Sequence, residues 1–297
     1  MIKRLFKYAT TDTARAILRT RALRWSAPEL FNDPFEFKSP LEFGFEWDDL
    51  ESPLLDEMTR LVTKPEQPEL IEDGPTTFQI RNDRIAYVAS PRSRDDVRRG
   101  YEGAVASIID KLRSEDERYD QIWRKMKREW RVLCLSAVPN NILMWSHYAD
   151  SHKGAVFAFD QGVGLRSELM AAKAVSYSKD VNTAASLEDF VAYLTSQRPK
   201  PNNEKAFEKS VFLKSSDWDY EQEWRILTKD TRPDAQLFTD RPFDPTELAA
   251  IYFGCRTPQE SKKTITAAAK SLGTPISFFE MQDERIRFEL TPVPIDV

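Results

Sequence analysis

Apolar residues recur along this chain in two rhythms. Short apolar or alternating runs at residues 5–9, 22–26, 130–136, 155–159, 174–177 and 248–254 predict β-strands, and 276–279 and 285–290 predict two closing strands. Helical spacing predicts helices at 50–61, 97–130, 142–150, 187–194, 206–212 and 260–272. A further helix follows Thr10-Thr11-Asp12, which supply its capping residues, and carries Ala14, Ile17 and Leu18. Pro199 and Pro201 separate two of these helices.

Strands and helices do not alternate regularly, so the pattern predicts an α+β fold with a short-stranded mixed or antiparallel sheet. Residues 1–297 read as one domain, with 44–131 as a mainly helical insertion or cap. In its most charged part, Leu112, Tyr119, Ile122, Trp123 and Met126 form the expected buried stripe. The turn-rich segment 27–36 carries Leu30, Phe31 and Phe35, which predicts a loop tucked against the core.

One run stands apart: Trp218-Asp219-Tyr220-Glu221-Gln222-Glu223-Trp224-Arg225-Ile226-Leu227. As a strand it places Glu221, Glu223 and Arg225 on one face and Tyr220, Trp224 and Ile226 on the other. Such a strand is either the charged wall of a cleft or an exposed edge with an internal ion pair.

Composition narrows the classes. The chain is 41% hydrophobic and 31% charged with a formal net charge of -5, which opposes broad non-specific nucleic-acid binding. No run approaches the roughly 18 apolar residues of a membrane span. The charged beginning Met1-Ile2-Lys3-Arg4 lacks the apolar core of a signal peptide, so a cytoplasmic protein is expected. Two cysteines, Cys134 and Cys255, read as buried small hydrophobes without a disulfide, and two histidines leave no metal site assigned.

Four polar groupings are candidates for chemistry: Lys7-Tyr8, Ser26 with Asn32-Asp33-Pro34, Ser146-His147-Tyr148, and Glu221/Glu223 with Arg225. On a helix Ser146, His147 and Tyr148 point about 100° apart, so they cannot all face one ligand. Two carboxylates on one face repel unless a cation, a donor or a shared proton offsets them, and Arg225 is placed to do so. Glycine phosphate loops, dinucleotide fingerprints and zinc-protease helix motifs are absent from the sequence.

Leu5-Phe6-Lys7-Tyr8, Leu30-Phe31-Asn32-Asp33-Pro34-Phe35-Glu36, the run from Asn141 to Asp150 with Lys153-Gly154, and Tyr220-Glu221-Gln222-Glu223-Trp224-Arg225 together resemble a bacterial family known as domain of unknown function 2971. More distantly, the order of these blocks is similar to the ADP-ribosyltransferase superfamily. That resemblance implies NAD as substrate, with Lys7 where a first-strand His or Arg holds the ribose, Tyr148 or Ser146 as the middle element, and Glu223 as catalytic glutamate beside Glu221. A lysine donates to a ribose oxygen but lacks the planar donor geometry of Arg or His. Tyr8, Ser26, Asn32, Asp33, His147 and Arg225 complete the candidate NAD-binding set.

The expected function is therefore transfer of ADP-ribose from NAD to a macromolecular acceptor, protein or nucleic acid, in the setting of bacterial defence or a toxin. Two alternatives stand beside it. One is a metal-dependent hydrolase or nuclease in which Glu221, Glu223 and Asp33 hold a divalent cation. The other is a non-catalytic binding or sensor module of a defence or stress system, whose motif residues form a buried polar network. The two roles predict different stabilities, since a catalytic Glu223 is expected to be nearly dispensable for folding and a buried network glutamate is not.

Overall fold

The computed structural model describes residues 4–38, 43–163, 167–181, 183–200, 203–232 and 236–296, with backbone alone for 203–207. Residues 1–3 and Pro201, named above, lie outside the described residues. In chain order the elements are β1 (Arg4–Ala9), α1 (Thr11–Thr20), β2 (Ala22–Ser26), α2 (Glu51–Thr63), α3 (Thr77–Ala89), α4 (Arg94–Glu129), β3 (Trp130–Ser136), α5 (Ile142–Tyr148) and β4 (Ala155–Asp160). They continue with β5 (Lys173–Ala174), β6 (Ser176–Ser178), α6 (Leu187–Leu194), α7 (Asn203–Phe212), β7 (Leu213–Ser215), β8 (Glu223–Lys229), β9 (Phe238–Pro242), β10 (Leu248–Phe253), α8 (Gln259–Lys270), β11 (Ser277–Asp283) and β12 (Leu290–Pro294). The protein is a mixed α and β structure in two compact units. A sheet unit comprises residues 1–37, 126–180 and 212–297, and a helical unit comprises 38–125 and 181–211.

In the sheet unit the strand order is β12-β11-β10-β4-β1-β3-β2-β9, with β8 added beside β3 and β5 beside β8. The β10–β11 pair is parallel and the other pairs of this sheet are antiparallel. Side-chain alternation divides two apolar layers. Leu5, Phe157, Phe159, Ile251 and Phe253 pack with α1 and α8, whereas Phe6, Tyr8, Val156, Ala158 and Tyr252 pack with Met144 and Trp145 of α5. Sheet continuity weakens at one place. β3 meets β1 at the register pair Phe6↔Ser136 and β2 at Ser26↔Val132, while it pairs with β8 along its whole length, from Trp130↔Lys229 to Ser136↔Glu223. The sheet opens between β1 and β3.

The helical unit buries its own core. Val97, Tyr101, Val105 and Ile109 recur every fourth residue on α4 and meet Leu54, Met58 and Leu61 of α2 together with Phe190 and Leu194 of α6. Among the described residues, no helix is long and apolar enough to cross a membrane.

Several expectations are corrected. Residues 218–222 are not strand; a 3-10 helix, Ser216–Glu221, ends in a left-handed Gln222 at φ 44°, and β8 starts at Glu223. Of the predicted strand 285–290, residues 285–289 are the connection between β11 and β12, where the alternation Arg285-Ile286-Arg287-Phe288 meets solvent and Phe288 is 100% exposed, and Leu290 opens β12. Residues 174–177 divide between β5 and β6, which belong to different sheets, and β9 and α3 had no signal in the pattern. On α4 Trp123 is buried as expected, but Ile122 is 46% exposed. In the loop after β2, Leu30 and Phe35 are exposed and Phe37 is the buried anchor, held in a left-handed conformation and packed edge-on against Phe31 and Trp130. Both cysteines are free and half-buried.

Candidate functional site

The opening between β1 and β3 holds a cavity of about 300 Å³. Its wall includes Lys7, Tyr8, Asn32, Tyr148, Glu221 and Glu223, six positions the sequence selected. The backbone carbonyl of Cys134, left without a strand partner from β1 at this point, accepts from Lys7 Nζ at 3.0 Å. Tyr8 gives its ring to the wall, because its hydroxyl donates to the Val138 carbonyl at 2.9 Å. Asn32 arrives on the loop after β2, where its Nδ2 lies 3.4 Å from the Tyr148 hydroxyl.

Two backbone devices bring the carboxylates together. Glu221 closes the 3-10 helix, the left-handed Gln222 turns the chain, and Glu223 opens β8. Its amide donates to the Tyr177 hydroxyl at 2.7 Å. The Ser136 hydroxyl donates to the Glu221 carbonyl at 2.7 Å and ties the turn to β3. The two carboxylates thus converge through a turn rather than through strand alternation.

A third carboxylate and a lysine complete the arrangement. Lys214, on β7, reaches Glu221 at 2.5 Å, Glu223 at 3.2 Å and Glu36 at 3.3 Å. Arg225 grips Glu223 with two bonds of 2.8 Å each and also pairs with Glu36. Tyr148 donates to the remaining Glu221 oxygen at 2.7 Å. Each oxygen of the three carboxylates therefore has a partner, and all five charged groups are buried. The Arg225 guanidinium also lies 5.7 Å from the Phe31 ring centroid and 5.3 Å from that of Phe37, within cation–π range.

Burial opposes every charge here, and the outcome differs from group to group. It works to raise the Glu223 carboxyl, but Arg225 and Lys214 outweigh it and hold that group down at about 2. For Glu36 burial wins over the same two cations, and its carboxyl is raised. Burial alone lowers the Lys214 ammonium, yet the surrounding glutamates reverse this and raise it. Burial and then Glu221 raise the Tyr148 hydroxyl, so it stays a donor. The Cys134 thiol is likewise pushed up, by burial first and then by Glu223. With all five ionised, three carboxylates face two cations and the cluster carries a net charge of -1.

The remaining selected residues lie elsewhere. Arg225 stands behind Glu223 and does not line the cavity. Ser26 takes part in strand pairing with Val132 and Phe238. Asp33 is buried; its Oδ1 accepts from the Phe35 amide at 2.8 Å and its Oδ2 has no hydrogen-bond partner. Ser146 and His147 are exposed on α5, as helical geometry requires once Tyr148 faces inward. For the metal alternative, Lys214 Nζ occupies the point between the three glutamates. Among the described residues no group of three or more His, Cys, Asp or Glu is placed to hold a metal ion.

Sequence reasoning missed the roles of Glu36 and Lys214. Each carried a faint signal: Glu36 sits between Phe35 and Phe37, and Lys214 directly follows the run Val211-Phe212-Leu213. A charge enclosed by apolar neighbours needs a buried partner. Nothing in a linear pattern pairs two such charges across the chain.

No curated protein and no solved structure matches the chain. A family model described as protein of unknown function (DUF2971) matches residues 144–226, the stretch that supplies Tyr148, Lys214, Glu221, Glu223 and Arg225 to this cluster.

Proposed function

We propose that the protein is an enzyme of the ADP-ribosyltransferase type, which cleaves the nicotinamide–ribose bond of NAD and passes ADP-ribose to a protein or nucleic-acid acceptor. The observation that carries this reading is the meeting of Lys7, Tyr148, Glu221 and Glu223 around one cavity. Its volume of about 300 Å³ suits the nicotinamide–ribose end of the dinucleotide.

As the glycosidic C–N bond breaks, its electron pair leaves with nicotinamide and positive charge grows on the ribose carbon. Carboxylates fixed in a dry site before the reaction are the groups that favour such charge. Glu223, kept ionised by Arg225 and Lys214, supplies part of that field. Glu221, oriented by Tyr148 and Lys214, lies at the cavity wall to accept from a ribose hydroxyl. Lys7 spends one proton on Cys134 and keeps two for oxygens of the substrate. A nucleophile of the acceptor then bonds to the ribose carbon as its proton passes to solvent.

The full pairing of the three carboxylates favours a second reading, a non-catalytic module in which the cluster holds the fold. Calorimetric titration with NAD separates the two. The transferase reading expects saturable binding that weakens about tenfold or more in Lys7→Ala, whose lost donor belongs to the ligand site. A flat titration for the unmodified protein would favour the structural role.

A further inference from the structure

The helical unit contains a second cavity, of about 410 Å³, with aromatic walls. The Phe43 ring centroid lies 5.0 Å from that of Trp47 and 5.0 Å from that of Phe190, at interplanar angles of 61° and 59°. Trp47 and Phe190 are 5.9 Å apart at 64°, and Tyr119 and Tyr193 extend the lining. Rings inclined in this way form the corner of a box rather than a stack.

One carboxylate is set into that corner. Asp116 is half-buried, and its Oδ2 accepts from Trp47 Nε1 at 3.0 Å. Burial raises its carboxyl; the Trp47 bond opposes this, and nearby Asp120 and Glu117 add to the rise. Glu115 also lines the cavity. Its two basic lining residues, Arg118 and Lys200, are solvent-exposed, so their field is screened by water while that of Asp116 acts in a drier setting. A cavity that offers π faces and a half-buried carboxylate is complementary to a cation.

The chemistry also selects among cations. A bare ammonium is strongly hydrated and needs several acceptors to replace its water. An alkylated ammonium spreads its charge over methyl groups that pack against rings and needs only a counter-ion. We propose that this cavity binds a small organic cation with an alkylated ammonium head, seated against Phe43, Trp47 and Phe190 with Asp116 as counter-ion. This site is independent of the proposed transferase activity.

Calorimetric titration of the full chain with choline, set beside 3,3-dimethylbutan-1-ol, tests the proposal, because the two share a shape and differ in charge. Choline is expected to bind at least about tenfold more tightly than the alcohol. Asp116→Asn, which retains an oxygen for Trp47 Nε1, is expected to reduce choline binding by about the same factor with an unchanged melting temperature. Equal binding of choline and the alcohol, absence of choline binding at millimolar concentration, or unchanged choline binding by a folded Asp116→Asn protein would each overturn the proposal. The comparison of the two ligands on the unmodified chain stands even where the variant fails to fold.

Discussion

Glu223 and Glu36 touch the same two cations, Lys214 and Arg225, yet titrate in opposite directions. Glu223 holds Arg225 through two bonds, and this outweighs its burial; Glu36 shares what remains. Substitution should separate them. Glu223→Gln leaves a buried guanidinium without its bidentate partner and is expected to cost about 3–5 kcal/mol in denaturant unfolding. Glu36→Gln replaces a group whose charged form burial already disfavours, and the expected cost is about 1 kcal/mol. Glu223 is buried and paired whichever role it has, so activity rather than stability separates a catalytic role from a structural one. Acid unfolding gives a second readout. The folded-state pKa of Glu223, about 2, lies below its ordinary 4.5, so the stability it confers is complete above 4.5 and is lost as pH falls toward 2. The raised Glu36 carboxyl acts with the opposite sign, its protonation favouring the folded state as pH falls. Loss of stability between pH 4.5 and 2, followed by circular dichroism, should be shallower in Glu223→Gln than in the unmodified protein.

At the scale of elements, the site depends on the turn between the Ser216–Glu221 3-10 helix and β8. Gln222 sits there at φ 44° and ψ 52°, a conformation that crowds the Cβ of any residue except glycine. Gln222→Val is expected to destabilise by about 1–2 kcal/mol in thermal unfolding, and Gln222→Gly to be neutral or stabilising. Equal effects of the two would show that the left-handed turn is not the constraint. This turn also marks the limit of what the sequence revealed. Tyr220, Trp224 and Ile226 alternate with Glu221, Glu223 and Arg225 as in a strand, only the polar Gln222 falls out of the pattern, and no glycine announces the break. Elements governed by local chemistry were legible: α1 begins at the Thr10 cap, the apolar run of β4 is buried throughout up to Phe159, and α8 lies within a residue or two of its helical pattern. Lys7, Tyr148, Glu221 and Glu223 were singled out as polar groupings and through the order of the resembling blocks, and they line one cavity. The Glu36–Lys214–Arg225 contacts were not, because they join residues up to 189 positions apart and depend on the loop anchor at Phe37.

Over the whole molecule, each unit has its own apolar core and its own cavity, and the chemistry of the two cavities differs. The sheet unit presents a buried cluster of three carboxyl groups and two cations beside Lys7 and Asn32, and the helical unit presents rings around a single half-buried carboxylate. With a formal net charge of -5 over 297 residues, a nucleic-acid acceptor needs local contacts rather than a general electrostatic pull. The central claim concerns the bond broken, so the most direct measurement is free nicotinamide released from NAD by the purified full chain, supplied with protein and nucleic-acid acceptors and resolved by chromatography. The account predicts release by the unmodified protein and a fall of about tenfold or more in Tyr148→Phe and in Glu221→Gln, each compared at a temperature where the variant is folded. No release by the unmodified protein under any of these conditions, or release unchanged in both variants, would contradict it.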